Sequence, residues 1–290
     1  MMGILNATPD SFSDAGDLPT LDCRVARGRD MLADGADLID VGGESGVTNR
    51  PPVAPREEIA RVAPLIARLA AEGAVLSVDT YKPEVAQAAL EAGASIVNDP
   101  SGLIDPEVAE VCAAHGAALV VTHTRARPKE KLVAPVYDDV VDDVKRLISE
   151  RLEAARAAGV PDERLIVCPG PDLGKDPAQT IELLRRLGEL HELGLPILLA
   201  VSRKDFVGAL TERPPRGRLA GTLAAIGHGL DQGARILRVH DVAATRDYLT
   251  VRAALRGEVA VPGDLRLADA LRREPVPEED VGPSAKEAVA

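Results

Sequence analysis

Aromatic side chains are nearly missing from this chain: 290 residues hold no Trp, three Tyr and two Phe. A core without them has to be filled by Ala, Val, Leu and Ile in close helix-on-strand packing. Cysteine is equally sparse. Cys23, Cys112 and Cys168 are odd in number, far apart and form no C-x-x-C pair, which argues against a disulfide framework or a zinc site and for a reducing, cytoplasmic setting. No apolar run approaches the length of a membrane span, and the start lacks the basic and apolar regions of a signal peptide. Positive charge is short as well. With 34 Lys and Arg against 46 Asp and Glu the net charge is -12, so the long-range field repels nucleic acid and anionic membranes. A small anion requires a few basic side chains gathered in one pocket.

What the chain does contain is a repeated sentence. Helical segments end near Gly35, Gly73, Gly93, Gly116, Gly159, Gly194 and Gly233. Each glycine is followed by a short apolar run, the pattern of a left-handed cap before a strand. The eight apolar runs fall at 3–6, 38–41, 75–78, 95–98, 118–122, 165–167, 197–201 and 234–239. Helical spacing fills the intervals at 21–33, 57–72, 83–92, 105–115, 138–158, 177–193 and 216–232, with a last helix near 243–256. Eight alternating units predict a single-domain (β/α)8 barrel over residues 1–257, and the absence of G-x-G-x-x-G after the first strand disfavours a dinucleotide-binding sheet. Residues 258–290, rich in Glu, Pro, Arg and Ala, read as a mobile acidic tail.

Barrels of this kind keep their chemistry at the carboxyl ends of the strands. Those ends here are Asn6, then Glu44 and Ser45, Asp79, Asn98 and Asp99, His123, Cys168, then Ser202, Arg203 and Lys204, and finally Arg238 and His240. Taken singly, each could be a loop residue satisfying its own backbone. Together they predict a polar ring with two electrical halves. Asp79, Asn98 and Asp99 suit the amino and lactam edges of a flat heterocycle, whereas Arg238, His240 and Asn6 suit a phosphate group.

In this order the segments Gly3-Ile-Leu-Asn6-Ala-Thr-Pro-Asp-Ser-Phe-Ser-Asp14, Ile39-Asp-Val-Gly-Gly-Glu-Ser45, Ser77-Val-Asp-Thr80, Val97-Asn-Asp99, Pro169-Gly170 with Gly174-Lys175, Ser202-Arg-Lys204 and Arg238-Val-His240 resemble the dihydropteroate synthase family. These folate-pathway transferases join 6-hydroxymethyl-7,8-dihydropterin diphosphate to 4-aminobenzoate. The resemblance implies a pterin pocket of Asp79, Asn98, Lys204 and the strand-six position, here Cys168. It implies aminobenzoate contacts at Arg50, Pro51 and Ser202, and diphosphate held by Asn6, Arg238 and His240. Asn6 would also bind Mg2+, and Asn6, Lys204, Arg238 and His240 would carry catalysis. Loops 8–16 and 45–53 would close over the site, with Asp10 and Asp14 helping to hold magnesium or orient the amine. The family pairs as homodimers through its later helices.

The chain departs from the family pattern most at strand six, where Val167-Cys168-Pro169 replaces an Asp-ended strand. A thiol is a weak acceptor, and losing a charged one costs roughly 1.5–3 kcal/mol of ligand binding, about one to two decades of affinity. Cys168 reads more readily as a core thiol than as a nucleophile, having no basic neighbour assigned to it. The alternatives are therefore a weak or inactive pterin-binding paralogue, and a corrinoid-type pterin-binding methyltransferase domain, which the basic residues of strands seven and eight disfavour.

Overall fold

Strand and helix alternate throughout the computed structural model, which describes residues 1–8, 20–46, 48–130, 132 and 135–273. The strands are β1 Met2–Asn6, β2 Leu38–Gly42, β3 Leu76–Asp79, β4 Ile96–Asp99, β5 Ala118–Thr122, β6 Leu165–Cys168, β7 Leu198–Leu199 and β8 Ile236–Val239. The helices are α1 Leu21–Ala33, α2 Pro55–Ala70, α3 Pro83–Glu91, α4 Glu107–His115, α5 Val140–Ala157, α6 Pro177–Arg185, α7 Asp205–Thr211, α8 Leu219–Asp231 and α9 Val242–Leu255. All pairings are parallel, in the order β6-β5-β4-β3-β2-β1-β8-β7. A bridge between Val167 and Ile197 brings the two ends of that row together into a nearly closed (β/α)8 barrel.

Local chemistry sets the boundaries. Thr20 caps α1 by accepting from the Cys23 amide at 3.2 Å, and Asp139 caps α5 through the Val141 and Asp142 amides. Asp176 and Gln179 form a reciprocal capping box on α6. All seven of the predicted stop glycines have positive φ, between 61° and 112°. Gly170, at the turn out of β6, admits no side chain: its φ is 64° and a Cβ there would lie 2.0 Å from the His123 carbonyl oxygen.

Three differences from the sequence expectation have physical causes. The ladder of β7 is only Leu198–Leu199, because Ile197 pairs instead with Val167 of β6 as an isolated bridge and the chain leaves the sheet before 200–201. The expected helix 177–193 breaks after Arg185 and continues as a 3-10 segment, Leu187–Leu193, where the Gly188 amide donates to the Gln232 side chain at 3.3 Å. Helix α7 was not expected. It starts without a cap from its own N-terminal residue, and Asp172 Oδ2 supplies one from the β6 loop by accepting from the Phe206 amide at 3.2 Å.

Strand alternation divides the side chains into two sets. Ile39, Val41, Leu76, Val78, Val97, Leu119 and Val121 are fully buried between sheet and helices. Met2, Val120, Cys168 and Leu198 pack inside the barrel with Leu38, Ile96, Ile166, Ala200 and Ile236, a dry floor beneath the mouth. The small residues of α8 let it approach closely: a Cβ at Gly229 would lie 2.2 Å from Leu199. The chain forms two compact units, Met1–Asp247 and Tyr248–Ala290. The first contains every strand; the described part of the second comprises the end of α9 and a 3-10 turn at Asp269–Leu271. The expected tail lies outside the described residues from 274 onward, as does most of the 8–16 loop with Asp10 and Asp14.

Candidate active site at the barrel mouth

One register row crosses four strands: Asn6 pairs with Gly42, Gly42 with Asp79, and Asp79 with Asn98. Side chains in one row of a parallel sheet face the same way, so Asn6, Asp79 and Asn98 share the barrel interior above the apolar floor. Gly42 leaves room between its neighbours, since a Cβ there would lie 3.6 Å from Asn6 Oδ1 and 3.8 Å from Asp79 Cβ. Asn98 is buried and donates its amide to Asp40 Oδ2 at 3.0 Å. Its carbonyl oxygen is thereby turned away from Asp40 as the acceptor edge, an orientation assigned from the hydrogen bonding.

Arg238 starts lower, opposite Met2, and its length carries the guanidinium up to this row. There Nε donates to Asp40 Oδ2 at 2.6 Å and Nη2 to Asp79 Oδ2 at 2.5 Å. The group that the strand-end reading offers to a phosphate bridges two carboxyls inside the barrel. Burial works against its charge, but Asp40 and Asp79 outweigh that and hold its pKa above the ordinary arginine value. Asp40 is fully buried, its Oδ1 has no hydrogen-bond partner among the described residues, and it stands at no strand end. The available sign was a charge in the middle of the apolar run Leu38–Gly42, costly in a buried parallel strand unless paired.

Asp79 keeps a quarter of its side chain open to the mouth. Burial raises its pKa to about 7, with Arg238 opposing and Asp40 reinforcing. Cys168, on β6, is 3% exposed, and burial keeps its pKa above the usual thiol value. It is a neutral core thiol, as expected, but it does have basic neighbours: the charges of Lys204 and Arg238 both act on it. Lys204 sits in the loop after β7, and burial lowers its pKa while Asp172 and Cys168 pull the other way. Among the described residues its amine has no hydrogen-bond partner.

Ser202 and His240 form a second unit. The Ser202 hydroxyl oxygen accepts the His240 backbone amide at 3.2 Å and lies 2.9 Å from His240 Nδ1. Taking the hydroxyl as the donor to Nδ1, an assignment made from the hydrogen bonding, leaves the ring proton on Nε2. Burial, then Arg203 and Arg238, lower the His240 pKa to about 3, so the ring is neutral at neutral pH. Arg203 itself pairs with Asp241 through Nε at 3.0 Å and Nη2 at 2.5 Å.

Other predicted ring members lie elsewhere. Asp99 follows the inward Asn98 and therefore points outward, where it accepts the Ser101 and Leu103 amides at 2.7 and 2.9 Å. His123 is fully buried between Asp143, 3.3 Å from Nε2, and Lys175, whose Nζ lies 2.6 Å from Nδ1. Asp172, on the loop after β6 and not one of the predicted ring, accepts from Thr180 and Phe206 and is occupied in holding α7. Glu44 fastens the second loop by accepting from the Val53 amide at 2.8 Å. On that loop Arg50 is half-buried and Pro51 exposed.

Residues 2–240 match the family model described as pterin binding enzyme. The chain is 40% identical over 258 residues to a dihydropteroate synthase of Synechocystis sp., covering 88% of this chain and 89% of that one. The chain belongs to the dihydropteroate synthase family. It is also 46% identical over 242 residues, 83% of its length, to a probable bifunctional folylpolyglutamate synthase/dihydropteroate synthase of Halobacterium salinarum, of which it spans 30%. The solved Xanthomonas albilineans dihydropteroate synthase with 4-aminobenzoic acid superposes with a TM-score of 0.82 at 45% identity, covering 90% of this chain and 93% of that one. Family membership and the parallel barrel agree with the resemblance in the motifs.

Proposed function

We propose that this chain condenses 6-hydroxymethyl-7,8-dihydropterin diphosphate with 4-aminobenzoate, releasing diphosphate, at the mouth described above. The observation that carries the reading is the cluster in which Asp79 and Asn98 share a register row, Arg238 pairs with Asp79 and the Arg238 charge acts on both Lys204 and His240, in a chain 45% identical to a synthase solved with 4-aminobenzoic acid. The pterin would set its amino and ring N–H donors on Asp79 and Asn98, with Lys204 and the Cys168 thiol beside it. Its diphosphate would take hydrogen bonds from His240 Nε2 and Asn6. Arg238, fixed by Asp40 and Asp79, presents a rigid cation to the charge that builds as the leaving group departs, and such preorganised charge needs no rearrangement during reaction. Ser202, Arg50 and Pro51 are assigned to aminobenzoate.

Magnesium fits this set. Among the described residues no three His, Cys, Asp or Glu side chains form a cage, yet magnesium beside phosphates needs only one or two protein oxygens. The Asn6 side-chain oxygen at the mouth is one. When bound, the ion would neutralise charge on the diphosphate.

Two assays test the reading. Below about pH 7 Asp79 gains a proton and loses its acceptor, so kcat/KM for the pterin substrate should fall about tenfold per pH unit. Because its folded pKa lies above the ordinary 3.8, folding stability should change oppositely, declining as pH rises from about 4 to about 7. An acidic limb that persists in Asp79→Asn would remove Asp79 from the pocket. In the second assay, Cys168→Asp places a carboxylate beside Lys204 and Arg238 and should tighten pterin binding about ten- to hundredfold. Product from the variant and none from the parent chain would make the parent an inactive paralogue. Weaker binding in the variant would mean that the thiol does not face the pterin.

A homodimer remains part of the proposal. The later helices carry an apolar groove of about 360 Å3 formed by Leu184, Phe206, Val207 and Leu210 among others, with Leu210 two-thirds exposed. Sedimentation equilibrium at micromolar concentration should give twice the 30.5 kDa chain mass; a single-chain mass would remove the dimer. A cytoplasmic setting is supported by three free thiols.

A further inference from the structure

On the same side of the barrel but lined by none of the mouth residues, the β4–α4 loop, the β5–α5 loop and α5 form a cavity of about 270 Å3 in which Arg125, Arg127, Arg146 and Arg151 meet. Such a gathering runs against the background of a chain with net charge -12. Two of the four are balanced. Arg125 forks onto Asp143 at 2.8 and 2.6 Å, gives Nη1 to the Val136 carbonyl and lies 4.3 Å from the Tyr137 ring centre. Arg146 bridges Asp143 and Glu150, each at 2.7 Å. Arg127 and Arg151 have no side-chain partner among the described residues, and Arg151 Nε is buried without an acceptor. Two carboxylates therefore face four guanidinium groups. The lining also holds two apolar side chains, Ile104 and Leu147, with Ile104 40% exposed.

We propose that this cavity is a second anion site, sharing no lining residue with the site proposed at the barrel mouth, that takes a small organic phosphate. Guanidinium forks match phosphate oxygens better than any other basic side chain does, and the buried Arg151 Nε–H requires an acceptor that no described residue supplies. The volume falls just below that of pockets for drug-sized ligands. Inorganic phosphate alone would leave Ile104 and Leu147 uncovered, whereas a small apolar body attached to the phosphate would cover them. None of these residues belongs to the proposed synthase machinery, so the inference stands apart from that reading.

Calorimetry on the full chain with phenyl phosphate as probe tests it. One binding event should persist in His240→Ala and weaken about tenfold or more in Arg127→Ala/Arg151→Leu, with synthase turnover unchanged in the double variant. Inorganic phosphate should bind more weakly than phenyl phosphate. Should Arg151→Leu disturb folding, the exposed Arg127→Glu should alone weaken binding while leaving the thermal melt in place. Unchanged affinity in folded Arg127→Glu, loss of the event in His240→Ala, or equal affinity for the two phosphates would each overturn the proposal.

Discussion

Replacing Arg238 with methionine should lower kcat/KM by about two to three decades and, separately, destabilise the fold by about 3–5 kcal/mol. The stability loss comes from what remains behind. Asp40 is fully buried, and its Oδ2 accepts from Arg238 at 2.6 Å and Asn98 at 3.0 Å. Without the guanidinium, Asp40 and Asp79 face each other in a low-dielectric interior with no cation between them. The deficit should shrink as pH falls, because protonating either carboxyl relieves the repulsion. The activity loss has a different origin, the loss of the cation that the proposed reaction sets against the leaving group. A double variant tells the two apart. Arg238→Met/Asp40→Leu removes both ends of the buried pair and should regain most of the stability, since a buried ion pair can be exchanged for apolar groups at little cost. It should not regain activity. Urea unfolding and turnover measured on the parent, the single and the double variant supply the check, and parallel recovery of both quantities would show that Arg238 acts only as a strut.

Much of this site was legible in the sequence, for a reason particular to parallel barrels. Each strand has to be apolar until it meets the mouth, so the first hydrogen-bonding side chain after the run marks the rim. Asn6, Asp79 and Asn98 were found in this way, and they occupy one register row. Asp99 was misplaced by ignoring the alternation that puts neighbouring side chains on opposite faces. The rest was hidden because it depends on partners far away in the chain. Asp40 looks like an error inside β2 until Arg238, 198 positions on, arrives to pair with it. Helix α7 takes its cap from Asp172, 34 positions before Phe206, so no local signal marks its start. The rows of a parallel sheet are periodic in sequence, whereas ion pairs and long-range caps have no period to find.

Lys82→Met should be about as damaging to stability, costing about 3–5 kcal/mol, although Lys82 stands outside every motif. It is 8% exposed at the start of α3, and its three ammonium protons all have acceptors: Glu44 at 2.5 Å, Glu58 at 2.5 Å and the Val53 carbonyl at 2.7 Å. Burial raises the pKa of Glu58, with Lys82 opposing that shift. Glu44 accepts in addition from the Val53 amide at 2.8 Å and the Tyr81 hydroxyl at 3.1 Å, and it pairs with Lys129 at 3.1 Å. Through these bonds the second loop, carrying Arg50 and Pro51, is tied to α2, α3 and the β5–α5 loop. Methionine preserves the length of the stem but removes the charge, leaving two glutamates buried beside each other and the Val53 carbonyl without its donor. If Arg50 and Pro51 contact aminobenzoate, loosening the loop should raise KM for that substrate while affecting pterin binding far less. The instability should ease as pH falls, since protonating Glu58 removes the stranded charge, and Lys82→Met/Glu58→Gln should recover part of it at neutral pH. Urea midpoints and the two KM values decide the matter: equal rises in both KM values would separate the loop from aminobenzoate, and an unchanged midpoint would mean that the network does not hold the loop.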